Sequence, residues 1–115
     1  MTPEKIEIAT SPGAREGQKI FVIKGPLNIH TLFEFRNAIR DDPSASLIVD
    51  FGGVPFIDSA GLGALVSAQI SAQKAGRKLA FVGLNPRVKA LIDMTHVGQF
   101  FRIYPTIQDA EAASL

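Results

Sequence analysis

Apolar positions along this chain switch repeatedly between two spacings, and each switch marks an element. Ile6-Glu7-Ile8 is a short alternating run, followed by a turn cluster at Ser11-Pro12-Gly13. Ile20-Phe21-Val22-Ile23 sits within a run from Gln18 to Lys24 that stops at Gly25-Pro26. Together the two runs predict a hairpin. Leu32, Phe35 and Ile39 then recur at i, i+3 and i+7, which predicts a helix of about three turns. Asn28 is its candidate N-cap, and it ends near Asp41-Asp42 because Pro43 cannot continue it. Phe33 and Phe35 lie two apart, on different faces of that helix. A broad buried face that takes both is the expectation, the alternative being one phenylalanine exposed for a partner.

Leu47-Ile48-Val49-Asp50-Phe51 is almost wholly apolar and ends at Gly52-Gly53. Such a run suits a strand covered on both faces of a parallel sheet. After a loop, Leu62, Leu65, Val66, Gln69 and Ile70 fall at helical spacing, with Gly76 as the stop. Lys78 to Leu84 predicts a further strand. Asn85-Pro86 predicts a helix start, since the amide can cap and proline lacks only an N–H that would go unpaired. Val88, Leu91, Ile92 and Thr95 form that helix's expected buried face, and Gly98 its end. Phe100 to Tyr104 predicts a last strand, and Thr106 caps a helix from Ile107 to Ala113 with Asp109 in its first turn. Strands alternating with helices predict an α/β fold: a mixed, mostly parallel sheet of about five strands with about four helices packed on it. At 115 residues the chain is expected to be a single domain spanning 1–115.

Composition narrows the chemistry. With no cysteine, disulfides and thiolate metal sites are excluded. Twelve basic and eleven acidic residues leave a net charge of +1, which gives no basic stripe for nucleic acid. Met1-Thr2-Pro3-Glu4-Lys5 is polar, unlike a signal peptide, and no stretch approaches the roughly 18 apolar residues needed to span a bilayer. The expectation is a cytoplasmic protein without membrane attachment. No long apolar stripe is left unassigned, which favours a monomer.

The segment Phe56-Ile57-Asp58-Ser59-Ala60-Gly61-Leu62-Gly63 holds the candidate site. Asp58 or Ser59 stands where a helix opens, and either side chain can cap its unpartnered N–H groups. Gly61 and Gly63 fall in the first turns, where each costs about 1 kcal/mol relative to alanine. Close packing against the strands explains such glycines; so does a low-relief surface that admits a partner. Both explanations stand at this level.

The stretch from Ile48 to Leu65, with Asp58-Ser59-Ala60-Gly61-Leu62-Gly63 at its centre, resembles the signature of the STAS domain of anti-sigma factor antagonists. Phe81 to Val88 and Phe101 to Ile107 resemble the later parts of that family, so the likeness covers roughly residues 6–112. The resemblance implies a partner switch. The unmodified antagonist binds a serine kinase that is also an anti-sigma factor. That kinase, using its own ATP and magnesium, phosphorylates Ser59, the complex separates, and a metal-dependent phosphatase resets it. Asp58 would orient the Ser59 hydroxyl, while Asn28, Ala60, Gly61, Leu62 and Gly63 would contribute to partner binding. The family usually carries Gly-x-Leu-Asp where this chain has Gly25-Pro26-Leu27-Asn28, so a negative charge near the acceptor serine is missing here. STAS domains also serve, unphosphorylated, in lipid and anion transport complexes; an accessory subunit of that kind is the alternative.

Other chemistries fit poorly. A nucleophile elbow needs Gly-x-Ser-x-Gly, but residue 57 is Ile, so Ser59 is not expected to be a hydrolase nucleophile. Gly52-Gly53 matches neither a dinucleotide fingerprint nor a P-loop. The two histidines, His30 and His96, are far apart in sequence and suggest no metal site. Arg87 and Lys89 are expected to form a solvated face. The chain is expected to be no enzyme and to need no cofactor of its own.

Overall fold

The computed structural model describes residues 5–113; residues 1–4 and 114–115, the ends of the expected 1–115 domain, lie outside them. The elements are β1 (Glu7–Pro12), β2 (Gln18–Lys24), α1 (Leu32–Asp41), β3 (Ser46–Gly53), α2 (Ser59–Lys74), β4 (Lys78–Val82), α3 (Pro86–Met94), a 3-10 turn (Gly98–Phe100), β5 (Arg102–Tyr104) and α4 (Ile107–Ala113). They form one five-stranded sheet in the order β1-β2-β3-β4-β5. β1 and β2 are antiparallel, as a hairpin must be, and every later pair is parallel. The α/β architecture expected from the alternating pattern is therefore present.

Period-two alternation divides each strand between two cores. Phe21, Ile23, Leu47, Val49, Phe51, Leu79 and Phe81 face α1, α2 and α3 in the larger core. Ile20, Ile48, Ala80 and Val82 face the other way, onto Ala110 of α4. With both faces of β3 and β4 covered, those strands read as continuous apolar runs. Four rings cross the larger core in contact: Phe35 on Phe51 at 6.1 Å, Phe51 on Phe81 at 5.5 Å, and Phe81 on Phe101 at 5.5 Å. Such tilted and edge-on pairs are each worth about 0.5–1.5 kcal/mol beyond the area they bury.

Several boundaries differ from the sequence pattern, each for a local reason. β1 runs through Pro12, because at the sheet edge proline forfeits no ladder bond; the turn follows it, with Gly17 at φ 78°. β4 stops at Val82 rather than Leu84, since Gly83 turns the chain at φ 73°. β5 begins at Arg102, as Gly98–Phe100 is a 3-10 turn. α3 ends at Met94, and the left-handed residue beyond it is His96 (φ 58°), not Gly98. Thr95, expected on the buried face, is exposed and bonds the Leu91 carbonyl through its hydroxyl. Phe35 is fully buried whereas Phe33 is 60% exposed, so the broad buried face expected for α1 is not present. Ile70 is likewise exposed on α2.

Candidate functional site

The site lies at the C-terminal ends of β2 and β3, where the crossover helices begin. Residues 54–58 leave β3 and are held against the segment after β2. Leu27 N–H donates to the Phe56 carbonyl at 3.3 Å, Asp58 N–H donates to the Leu27 carbonyl at 3.3 Å, and Leu27 and Ile57 form an isolated parallel bridge. From the other side, the Asn85 amide donates to the carbonyls of Val54 (3.1 Å) and Pro55 (3.0 Å). The same Asn85 caps α3 by accepting from Val88 N–H at 2.9 Å. The loop before α2 is thus braced by its neighbours on both sides.

Asp58 is the N-cap of α2, its carboxylate accepting from Gly61 N–H at 2.8 Å, which satisfies one of the helix's unpaired donors. The Asp58 carboxylate, expected to orient the Ser59 hydroxyl, is exposed one residue before it. Ser59 is the first helical residue and is exposed. It belongs to the first turn of α2, where unpaired N–H groups favour negative charge.

The two glycines have different explanations. A Cβ on Gly61 would collide with the Leu27 carbonyl, so this glycine lets α2 pack against the backbone after β2. A Cβ on Gly63 would meet nothing within 4 Å. Packing therefore accounts for Gly61 and not for Gly63, which lies open one turn along from Ser59. Leu62 is buried in the larger core, and Ala60 is half-buried against it. Among the residues expected to meet a partner, Asp58 and Gly63 are exposed alongside Ser59, while Gly61, Leu62 and Asn28 lie inside.

Asn28 does not cap α1, which starts at Leu32 with Thr31 at its N-cap. Instead it closes the turn before the helix. Its side-chain oxygen accepts from His30 N–H at 2.9 Å, and its carbonyl accepts from Thr31 and Leu32 N–H at 3.1 and 2.9 Å. Thr31 returns a contact, its hydroxyl accepting from Asn28 N–H at 3.0 Å and donating to the Pro26 carbonyl at 2.8 Å. The proposed helix start at Asn28 is three residues early because an Asx turn carries the same residue preference as a helix cap.

Sequence reasoning missed three contributors. Leu27 positions the start of α2 through its backbone, which no side-chain pattern reveals. Asn85 was legible as a cap but not as a brace. Arg87, expected on a solvated face, holds its guanidinium 5.9 Å from the centre of the Phe56 ring, three residues before Ser59. Among the described residues no group of three or more His, Cys, Asp or Glu could hold a metal ion. None of their helices is long and apolar enough to cross a membrane.

The chain is a small α/β domain whose mixed, mostly parallel sheet carries a braced helix start with an exposed serine. The STAS domain family model matches residues 5–110, and the chain belongs to that family. The fold is shared with an anti-sigma factor antagonist from Mycobacterium paratuberculosis: 24% identity, TM-score 0.81, covering 95% of this chain and 93% of that one. It is also shared with a sulfate transporter family protein from Wolinella succinogenes, at 23% identity and TM-score 0.77, covering 86% of this chain and 85% of that one. A third likeness is to the Bacillus cell fate determinant SpoIIAA in its phosphorylated form: 14% identity, TM-score 0.63, covering 96% and 99%.

Proposed function

We propose that the chain is an anti-sigma factor antagonist of a cytoplasmic partner-switching pathway, acting as a monomer and without catalysis of its own. It binds an anti-sigma serine kinase while Ser59 is unmodified, is released when that kinase phosphorylates Ser59, and is reset by a metal-dependent phosphatase. The observation that carries this reading is the exposure of Ser59 at the first position of a helix whose start is fixed by Asp58 and Leu27. A hydroxyl so placed can enter a kinase's active site without any unfolding of the domain. The open surface at Gly63 leaves room for the partner's backbone beside it.

The switch follows from electrostatics. Phosphorylation adds about −1.5 to −2 charges. Helix N–H groups tolerate them, so the domain stays folded and the cost falls on the interface. One partner carboxylate about 6 Å away, at an effective dielectric near 20, would cost about 3 kcal/mol per added charge. A total of about 4–6 kcal/mol weakens binding by roughly 10³ to 10⁴-fold.

The test is calorimetric titration of this protein with a purified anti-sigma serine kinase from the same organism. The unmodified protein binds, Ser59→Ala binds equally, and Ser59→Asp fails to bind while keeping its melting temperature. Equal affinity for Ser59→Asp would overturn the reading. The shared fold with a sulfate transporter family protein favours one second reading, an unphosphorylated accessory subunit of a transport complex. In that case Ser59→Asp would leave binding to the complex unchanged.

A further inference from the structure

A cleft of about 320 Å³ opens between the C-terminal halves of α1 and α2, at the opposite end of α2 from Ser59. Ser71 on its wall lies twelve positions along α2 from Ser59, a rise of roughly 18 Å. Arg36 and Arg40 stand one turn apart on the α1 side, and Ser67 and Ser71 one turn apart on the α2 side. Arg77 lines it too, and buried Ala68 and Ala72 lie among its lining residues. Small side chains on α2 are what leave the space open.

The arrangement of charge is unusual for a structural groove. Two like charges at i and i+4 disfavour a helix unless something lies between them. Among the described residues no carboxylate comes within ion-pair distance of Arg36, whose guanidinium rests 5.7 Å from the centre of the exposed Phe33 ring. Arg40 pairs with its neighbour Asp41 at 3.1 Å, with both side chains about two-thirds exposed. The one acid lining the cleft, Asp42, is already engaged by Ser44 N–H at 2.8 Å and by Lys19 at 3.7 Å.

Arg77 is held rigidly. Its guanidinium donates to the carbonyls of Ser44 (2.9 Å), Ile39 (3.1 Å) and Asp42 (2.7 Å). These bonds quench the carbonyl end of α1, which would otherwise repel an anion. They use three of the five guanidinium N–H groups and leave two. Three arginines, one of them fixed by its hydrogen bonds, and two serines line a space within the range of small-ligand sites.

We propose that this cleft binds the phosphomonoester group of a small organic molecule, with Arg36 and Arg40 clamping the phosphate, Ser67 and Ser71 donating to it, and the alanine floor taking the organic part. Paired guanidinium groups match phosphate oxygens in a way a single ammonium does not. The site is independent of the Ser59 reading and stands or falls separately.

The test is an amide and arginine side-chain NMR titration at low ionic strength with glucose 6-phosphate, inorganic phosphate and sodium chloride. Expected are saturable shifts at Ser67, Ser71 and the Arg36, Arg40 and Arg77 side chains. Glucose 6-phosphate should bind more tightly than inorganic phosphate, and both more tightly than chloride. The double variant Arg36→Gln/Arg40→Gln alters only exposed side chains and should melt as the parent does. Its affinity should fall by roughly tenfold or more. Linear, unsaturable shifts, shifts confined to the start of α2, or unchanged affinity in the double variant would each overturn the proposal. Inorganic phosphate binding as tightly as the ester would overturn the organic ligand.

Discussion

Gly61 and Gly63 lie two residues apart in the same helix, yet the structure predicts opposite outcomes for the same substitution. Gly61→Ala drives a methyl group into the Leu27 carbonyl and should cost about 1–3 kcal/mol, seen as a lower melting temperature. Gly63→Ala meets nothing and should stabilise the protein by up to about 1 kcal/mol through helix propensity. Before the structure both glycines supported either account equally, because the residue beneath Gly61 is 34 positions away and acts through its backbone. Asp42 gives a pH prediction. Burial raises its pKa, but Ser44 hydrogen bonds and the nearby Lys19 and Arg77 charges outweigh this and hold it below 3.8. A depressed folded-state value means that the stabilisation is present above the unfolded pKa and fades as pH falls through the folded one. Asp42→Asn should therefore lower stability at neutral pH. The difference from the parent should vanish in acid below the folded-state pKa, as followed by denaturant titration across pH.

At the scale of elements, caps with a side chain in the ordinary geometry were legible and backbone-led starts were not. Asp58, Asn85 and Thr106 stand at the helix starts their residue types predict, bonding Gly61, Val88 and Asp109 N–H. Gly76 ends α2 as expected, with Gly76 N–H on the Gln73 carbonyl and Arg77 N–H on the Ala72 carbonyl. Asn28 misled because an Asx turn and a helix cap draw on the same chemistry. The end of α3 misled because His96 takes the left-handed conformation that glycine usually supplies. Asn85 joins two elements, so Asn85→Ala should cost about 1–2 kcal/mol and speed amide exchange at residues 54–59 as well as in α3. Arg77→Met removes three hydrogen bonds to the end of α1 and the segment just after it and should cost about 2–3 kcal/mol, with α1 amides losing protection first.

For the molecule as a whole, the order of strands and helices followed from hydrophobic period alone. Strands buried on both faces are continuous apolar runs, and α1 and α3 are amphipathic, whereas α2 is apolar or small on most sides. What the period could not convey is which outward residues stay outward. Phe33 is an aromatic on a core helix, and only the position of the sheet determines that it faces solvent. The candidate site was legible as a segment, since a helix start shows in the residue types from Asp58 to Gly63. Its three-dimensional support from Leu27 and Asn85 was not, because those contacts join segments about 30 residues apart in sequence.

The central claim is that Ser59 is both the place where a partner grips and the place where that partner writes its mark. The most direct measurement is a release assay: the protein is bound to its immobilised serine kinase, ATP and magnesium are added, and the eluted chain is mapped by mass spectrometry. The account predicts that the parent dissociates carrying one phosphoryl group on Ser59, while Ser59→Ala stays bound under the same conditions. Dissociation of Ser59→Ala on addition of ATP, or release of the parent with its phosphoryl group on another residue, would contradict it.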